Sequence, residues 1–156
     1  MMKNIYKFVC LSAIFFAVGL CTANAQTVTG SIGNGTFMPG KSVRATVVLS
    51  LPSGLHANSH NPGSEYAVPT TVQASGKGLR IGSVSYPRGR NRKFDFSENT
   101  LNVYEGRTTF KFNVTVPANY TRKTISVNVK VKYQACTNEV CYPPKTKQIT
   151  LTALNQ

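Results

Sequence analysis

The 156-residue chain sets 18 Lys and Arg against 5 Asp and Glu, a formal charge of +13, and carries four cysteines and no tryptophan. Hydrophobic residues make up 41% and charged residues only 15%, against a usual ~25%, with Thr, Ser, Asn and Gly filling the gap as in a β-rich exported chain. These figures exclude a coiled coil, a polytopic membrane protein, a chain disordered throughout and a large multidomain enzyme; the length fits one domain.

Residues 1–25 read as an export signal. Lys3 and Lys7 give a basic start, Phe8 to Cys21 is a nearly unbroken apolar run of 14 residues, and Ala23-Asn24-Ala25 supplies the small residues of a cleavage site. Fourteen residues are too few for a membrane-spanning helix, which needs about 20. Cleavage after Ala25 is expected; lipidation at Cys21 is the weaker alternative, because Leu20 stands where a small residue is wanted. Losing Lys3, Lys7, Cys10 and Cys21 leaves one domain over 26–156 with 16 basic and 5 acidic side chains, a charge of +11, and two cysteines, Cys136 and Cys141. Two cysteines in an oxidising compartment tend to pair.

Beyond the signal the hydrophobic period is two, not 3.6. In chain order the candidate strands are Val28–Ile32, Val43–Leu51, Leu55–Ser59, Thr70–Ala74, Leu79–Tyr86, Leu101–Tyr104, Thr109–Val116, Thr124–Tyr133 and Ile149–Leu154. Thr124–Tyr133 alternates most cleanly: Ile125, Val127, Val129, Val131 and Tyr133 share one face, Ser126, Asn128, Lys130 and Lys132 the other. Turn signals separate the strands, among them Asn34-Gly35, Pro39-Gly40, Asn61-Pro62-Gly63, Gly76-Lys77-Gly78 and Glu105-Gly106. Seven to nine short strands with regular breaks predict an all-β, antiparallel, immunoglobulin-like sandwich. A domain of this size buries about two thirds of its unfolded surface and needs no disulfide to hold together.

The informative segment follows the cleanest strand. Cys136 and Cys141 flank a four-residue tip, Thr137-Asn138-Glu139-Val140, and Pro143-Pro144 halts ladder pairing just after it. Cysteines so placed across a hairpin can reach the ~4.4–6.8 Å Cα separation of a disulfide. Closing so small a ring stabilises a fold by only about 2 kcal/mol, against about 4–5 kcal/mol for a long-range bridge. The position therefore suits a dithiol that opens and closes without unfolding its host, and a structural disulfide is the competing reading. A Cys₂His₂ metal site with His56 and His60 is a third. Spacing opposes it, because residues four apart on a strand lie ~13 Å from each other. The plainest expectation for both histidines is an exposed strand or loop position.

Tyr133-Gln134-Ala135-Cys136 with Cys141-Tyr142-Pro143-Pro144 resembles the active-site hairpin of the N-terminal periplasmic domain of DsbD-type thiol:disulfide interchange proteins. Leu55–Pro62, Val68–Thr71, Tyr86-Pro87 and Val103–Gly106 look like the same family in the same order, so the resemblance spans roughly Val43 to Leu151. It implies a periplasmic immunoglobulin-like domain without cofactor or metal, which takes electrons from a membrane thiol transporter or a thioredoxin-like domain. Periplasmic oxidoreductases would receive them, by thiol–disulfide exchange. It further implies that Cys141 forms the mixed disulfide and Cys136 resolves it, with Tyr133, Gln134, Tyr142 and Pro143 supporting the hairpin. By order along the chain, the family's shielding cap loop falls at Phe94-Asp95-Phe96-Ser97, with Phe96 as the lid and Asp95 as the nearby carboxylate.

The chain departs from that family in three respects. Four residues separate the cysteines where the best-known members have five, and aromatic residues that line their site are missing near His56 and Asn58. Those members are also fused to membrane and thioredoxin-like domains, whereas this chain ends at Gln156 just after its last predicted strand. It is therefore expected to work in trans, as a monomer, with a separately encoded membrane partner. The basic run Arg88-Gly89-Arg90-Asn91-Arg92-Lys93 has no interleaved aromatics for base stacking, and an exported chain does not point to nucleic acid. It reads as a solvated loop leading into the cap, able to attract an anionic surface or acidic partners.

Overall fold

A computed structural model describes residues 26–156; the expected signal, with Cys10 and Cys21, lies outside the described residues. Among the described residues there is no helix, and the strands are β1 (Thr27–Ile32), β2 (Thr36–Phe37), β3 (Ser42–Ser50), β4 (His56–Asn58), β5 (Thr71–Ser75), β6 (Arg80–Ile81), β7 (Arg90–Arg92), β8 (Leu101–Glu105), β9 (Arg107–Thr115), β10 (Thr124–Tyr133), β11 (Ala135–Cys136) and β12 (Lys145–Asn155). They form three four-stranded sheets, ordered β1-β3-β9-β6, β2-β12-β10-β5 and β11-β4-β8-β7. All pairings are antiparallel except that of β2 with β12.

Alternation builds the sandwich. Every second residue of β10 is buried, and so are Val47 and Leu49 of β3 and Phe110, Phe112 and Val114 of β9. These meet Leu151 and Ala153 of β12 in one buried cluster, so the two long sheets share a single core. The chain is an immunoglobulin-like all-β domain, as its alternating pattern predicts.

Three expectations are corrected. Only Arg80–Ile81 of the expected Leu79–Tyr86 strand forms a continuous strand; Gly82 N still donates to Asn113 O at 2.8 Å, but the register slips by one residue between the Ile81–Val114 pair and the bridge of Ser85 to Lys111. The basic run is not wholly loop, since β7 pairs with β8 as an edge strand, where exposed cations are tolerated. Gly89 permits that approach, because a Cβ there would come within 2.8 Å of the Val103 carbonyl oxygen. Finally, the histidines are not exposed: His56 is 3% exposed and His60 is partly buried.

The third sheet positions the site. Ala135, Ala57 and Tyr104 lie opposite one another on β11, β4 and β8 and belong to the core. The next row, Cys136, His56 and Glu105, therefore points to the opposite face. Phe94 covers that face, packed in a small cluster with Leu101 and Val103.

Candidate functional site

Cys136 and Cys141 are joined by a disulfide, with Cα atoms 4.0 Å apart. This is closer than the spacing led us to expect. The cysteines form a bridge flanked by bonds from Thr137 N to Val140 O (2.8 Å) and from Tyr142 N to Ala135 O (2.9 Å). That pattern makes them a non-hydrogen-bonded pair, the closer of the two antiparallel kinds. The Thr137 hydroxyl accepts from the amides of Glu139 (3.2 Å) and Val140 (3.1 Å), which fixes the tip locally. Pro143 and Pro144 are unpaired, and pairing resumes at Lys145 opposite Tyr133.

The two sulfurs have different surroundings. Cys136 is fully buried, whereas Cys141 is exposed between Val140 and Tyr142, themselves about half exposed. Cys141 lines a cleft of about 390 Å³ together with Asn58, Tyr66, Phe96, Leu101 and Gln134. Phe96 is 41% exposed and stacks on buried Phe94 at 5.2 Å, and Phe94 stacks in turn on His56 at 4.2 Å. Three nearly parallel rings thus run from His56, on the face of the third sheet away from the core, to the cleft. The Phe94-to-Ser97 turn is closed by a backbone bond of 3.1 Å, and Lys93 Nζ donates across the loop to the Glu98 carbonyl.

The other expected site residues are placed as follows. Asp95 lines a neighbouring cavity with Arg92, Lys93, Glu105 and the tip residue Asn138, not the cleft of Cys141. Tyr133 is a core residue whose hydroxyl donates to Gln26 Oε1 at 3.3 Å. Burial raises its pKa. Gln134 braces the hairpin: its Nε2 donates to the Tyr142 carbonyl (3.1 Å), and its Oε1 accepts from Asn58 Nδ2 (3.4 Å). Pro143 is exposed.

The histidines separate. His60 stacks on Tyr86 at 3.7 Å and its Nδ1 donates to the Thr70 carbonyl at 3.1 Å, while His56 lies under Phe94. Among the described residues no three His, Cys, Asp or Glu side chains gather as a metal-holding group. Burial pushes the His56 pKa below its ordinary value; the negative charge of Glu105 opposes this and Arg92 adds to it. Glu105 is held below the usual carboxylate range, first by hydrogen bonds from Arg92 Nε and Nη2, both 3.1 Å. Arg90 adds a looser contact at 3.8 Å.

Sequence reasoning missed Tyr66, which is 88% exposed on the cleft, and missed the row that sets His56 between Cys136 and Glu105 across the third sheet. The only signal for the latter was the alternation of His56, Ala57 and Asn58, which puts two polar side chains on one face of a short strand.

The sequence matches the family described as "Thiol:disulfide interchange protein DsbD, N-terminal" over residues 31–153. No curated protein sequence matches it. Among solved structures it is similar to the N-terminal periplasmic domain of ScsB from Proteus mirabilis, with TM-score 0.50 and 16% identity. That alignment covers 80% of this chain and 44% of that one, so the chain spans less than half of its neighbour's length. A GAE domain of yeast GGA1 aligns with TM-score 0.45 and 13% identity, covering 85% of this chain and 95% of that one.

Proposed function

The chain belongs to the family of DsbD N-terminal domains, and on that premise we propose that it is a periplasmic thiol–disulfide exchange protein that relays reducing equivalents through Cys136 and Cys141. Its donors would be thioredoxin-like domains or a separately encoded membrane thiol transporter, and its acceptors exported oxidoreductases. The observation that carries this reading is the asymmetry of the pair: a buried Cys136 joined to an exposed Cys141 at the edge of a cleft.

Exchange requires in-line access of a thiolate to one sulfur of the disulfide. Only Cys141 offers that access, so it is the sulfur that forms the mixed disulfide, and Cys136 is the resolving thiol. Phe96, stacked but partly exposed, acts as a lid that a docking partner displaces into solvent while Phe94 stays anchored on His56. Asp95 sits on the other side of that loop, where it lines the neighbouring cavity with the tip residue Asn138. Tyr66, Val140 and Tyr142 give a partner an apolar rim beside the reacting sulfur.

Trapping tests the assignment. With an oxidised thioredoxin-like domain, reduced Cys136→Ser should accumulate a mixed disulfide through Cys141, and Cys141→Ser should accumulate none. Trapping by Cys141→Ser alone would reverse the roles. Trapping by neither would favour a β-sandwich binding module whose hairpin disulfide is structural.

A further inference from the structure

Cys136, His56 and Glu105 stand directly opposite one another on three adjacent strands, forming one row across the third sheet. Residues directly opposite in an antiparallel pair point the same way, with Cβ atoms ~4.5–5.5 Å apart. The imidazole is thus flanked by a cysteine side chain on one side and a carboxylate on the other. Its Nε2 is buried and has no hydrogen-bond partner in the disulfide form. Leaving such an atom unsatisfied is unfavourable, and the disulfide sulfur of Cys136 has no proton to share with it. The reduced protein has one. We propose that His56 is the general base for Cys136: its Nε2 takes the thiol proton when Cys136 closes the disulfide, and Glu105 stabilises the imidazolium that forms. This rests on the relay reading above and assigns a residue to its second step.

In the mixed disulfide, Cys141 Sγ is bonded to the partner's sulfur and Cys136 is a thiol. His56 Nε2 accepts the Cys136 proton, and the thiolate's electron pair attacks Cys141 Sγ. The Cys136–Cys141 bond forms as the Cys141–partner bond breaks, and the pair leaves on the partner's sulfur, which takes a proton. The two cysteines are oxidised by two electrons and the partner's disulfide is reduced by two. In reverse, the imidazolium protonates the departing Cys136 sulfur.

The charged groups around the ring set its pH range. Glu105 faces it from β8, Arg92 reaches Glu105 from β7 with Arg90 more distant, and Asp95 and Lys93 of the cap loop share the cavity beside Glu105. Burial keeps the ring neutral at pH 7, and hence competent as a base. The ordinary alternative is unassisted ionisation of a thiol, which rises about tenfold per pH unit until it nears pH 8.5.

Reaction of the reduced protein with 5,5′-dithiobis(2-nitrobenzoate) separates the two steps. The first thionitrobenzoate released reports attack by the exposed cysteine; the second reports closure by Cys136. The quantity read is the ratio of second-phase to first-phase rate. In the wild type the second phase should be flat above about pH 6.5 and fall below it. In His56→Gln the ratio at pH 7 should drop by about a hundredfold, and the second phase should climb with pH through the thiol range. Glu105→Gln should keep the wild-type shape with its midpoint moved to lower pH. A wild-type second phase rising about tenfold per unit between pH 6 and 8 overturns the proposal, as does a His56→Gln protein with wild-type ratio and profile. Should His56→Gln not fold, the wild-type profile and the Glu105→Gln shift decide the matter. Failure of the relay reading would appear elsewhere, as a wild-type protein that does not exchange with a thioredoxin-like donor.

Discussion

The ring of His56 links the site to the stability of the fold. Its pKa is lowered on folding, so below the unfolded value near 6.5 the unfolded chain binds a proton that the native protein resists. The stabilisation from keeping this ring neutral is complete above pH 6.5 and is lost as pH falls through the lower native pKa. Urea midpoints measured from pH 7.5 to pH 5 should therefore decline, and His56→Gln should flatten the decline. Glu105 behaves in the same sense at lower pH. Its pKa is depressed, so its contribution is present above the ordinary carboxylate range and is lost on further acidification. Because Glu105 is a third exposed and Arg92 half exposed, their pairing is screened by solvent, and Glu105→Gln should leave the urea midpoint at pH 7 nearly unchanged. Phe96 gives a prediction at the same scale. If Phe96 shields the Cys141 cleft as proposed, Phe96→Ala should raise the rate at which small thiols such as glutathione reduce the disulfide, by several-fold or more, with little change in unfolding midpoint. An unchanged rate would remove Phe96 from its shielding role.

The hairpin from Tyr133 to Lys145 is held by its own backbone bonds, by the Thr137 hydroxyl and by the Gln134 brace, independently of the disulfide. The double variant Cys136→Ala, Cys141→Ala should fold and lose only about 2 kcal/mol in urea unfolding, the entropy of a six-residue ring; a loss above about 4 kcal/mol would mark the bridge as structural. Elements also decide what the sequence made legible. β3, β9 and β10 carry nine or ten residues of alternation, enough to declare both strand and buried face. β2, β7 and β11 have two or three residues, which carry no period, so only their pairing partners define them. The cysteines and their hairpin were legible because spacing and Pro143-Pro144 are local signals. The His56–Glu105 row was not, because it exists only once β4 is inserted between β11 and β8. The basic edge strand hid for a related reason: Arg90 and Arg92 look like loop cations until Glu105 is seen across the strand pair.

At the scale of the whole molecule, the core shared by the two long sheets extends to Ala57, Tyr104 and Ala135 of the small third sheet, which carries Cys136. The excess of basic residues, concentrated around Arg88 to Lys93 beside the cap, favours fast encounter with acidic partners. Association with a thioredoxin-like domain, followed by stopped flow, should slow several-fold as salt shortens the Debye length from ~10 Å at 0.1 M to ~3 Å at 1 M. Arg88→Gln should reproduce part of that slowing at low salt, whereas a salt-independent rate would leave the basic run as a plain solvated edge. The most direct test of the relay itself is the equilibrium reduction potential of the Cys136–Cys141 pair, read by alkylation after titration against glutathione and dithiothreitol buffers. A relay requires a value above about −300 mV, in the range of exchangeable dithiols; a pair that remains oxidised below about −300 mV would behave as a structural disulfide and contradict the relay role.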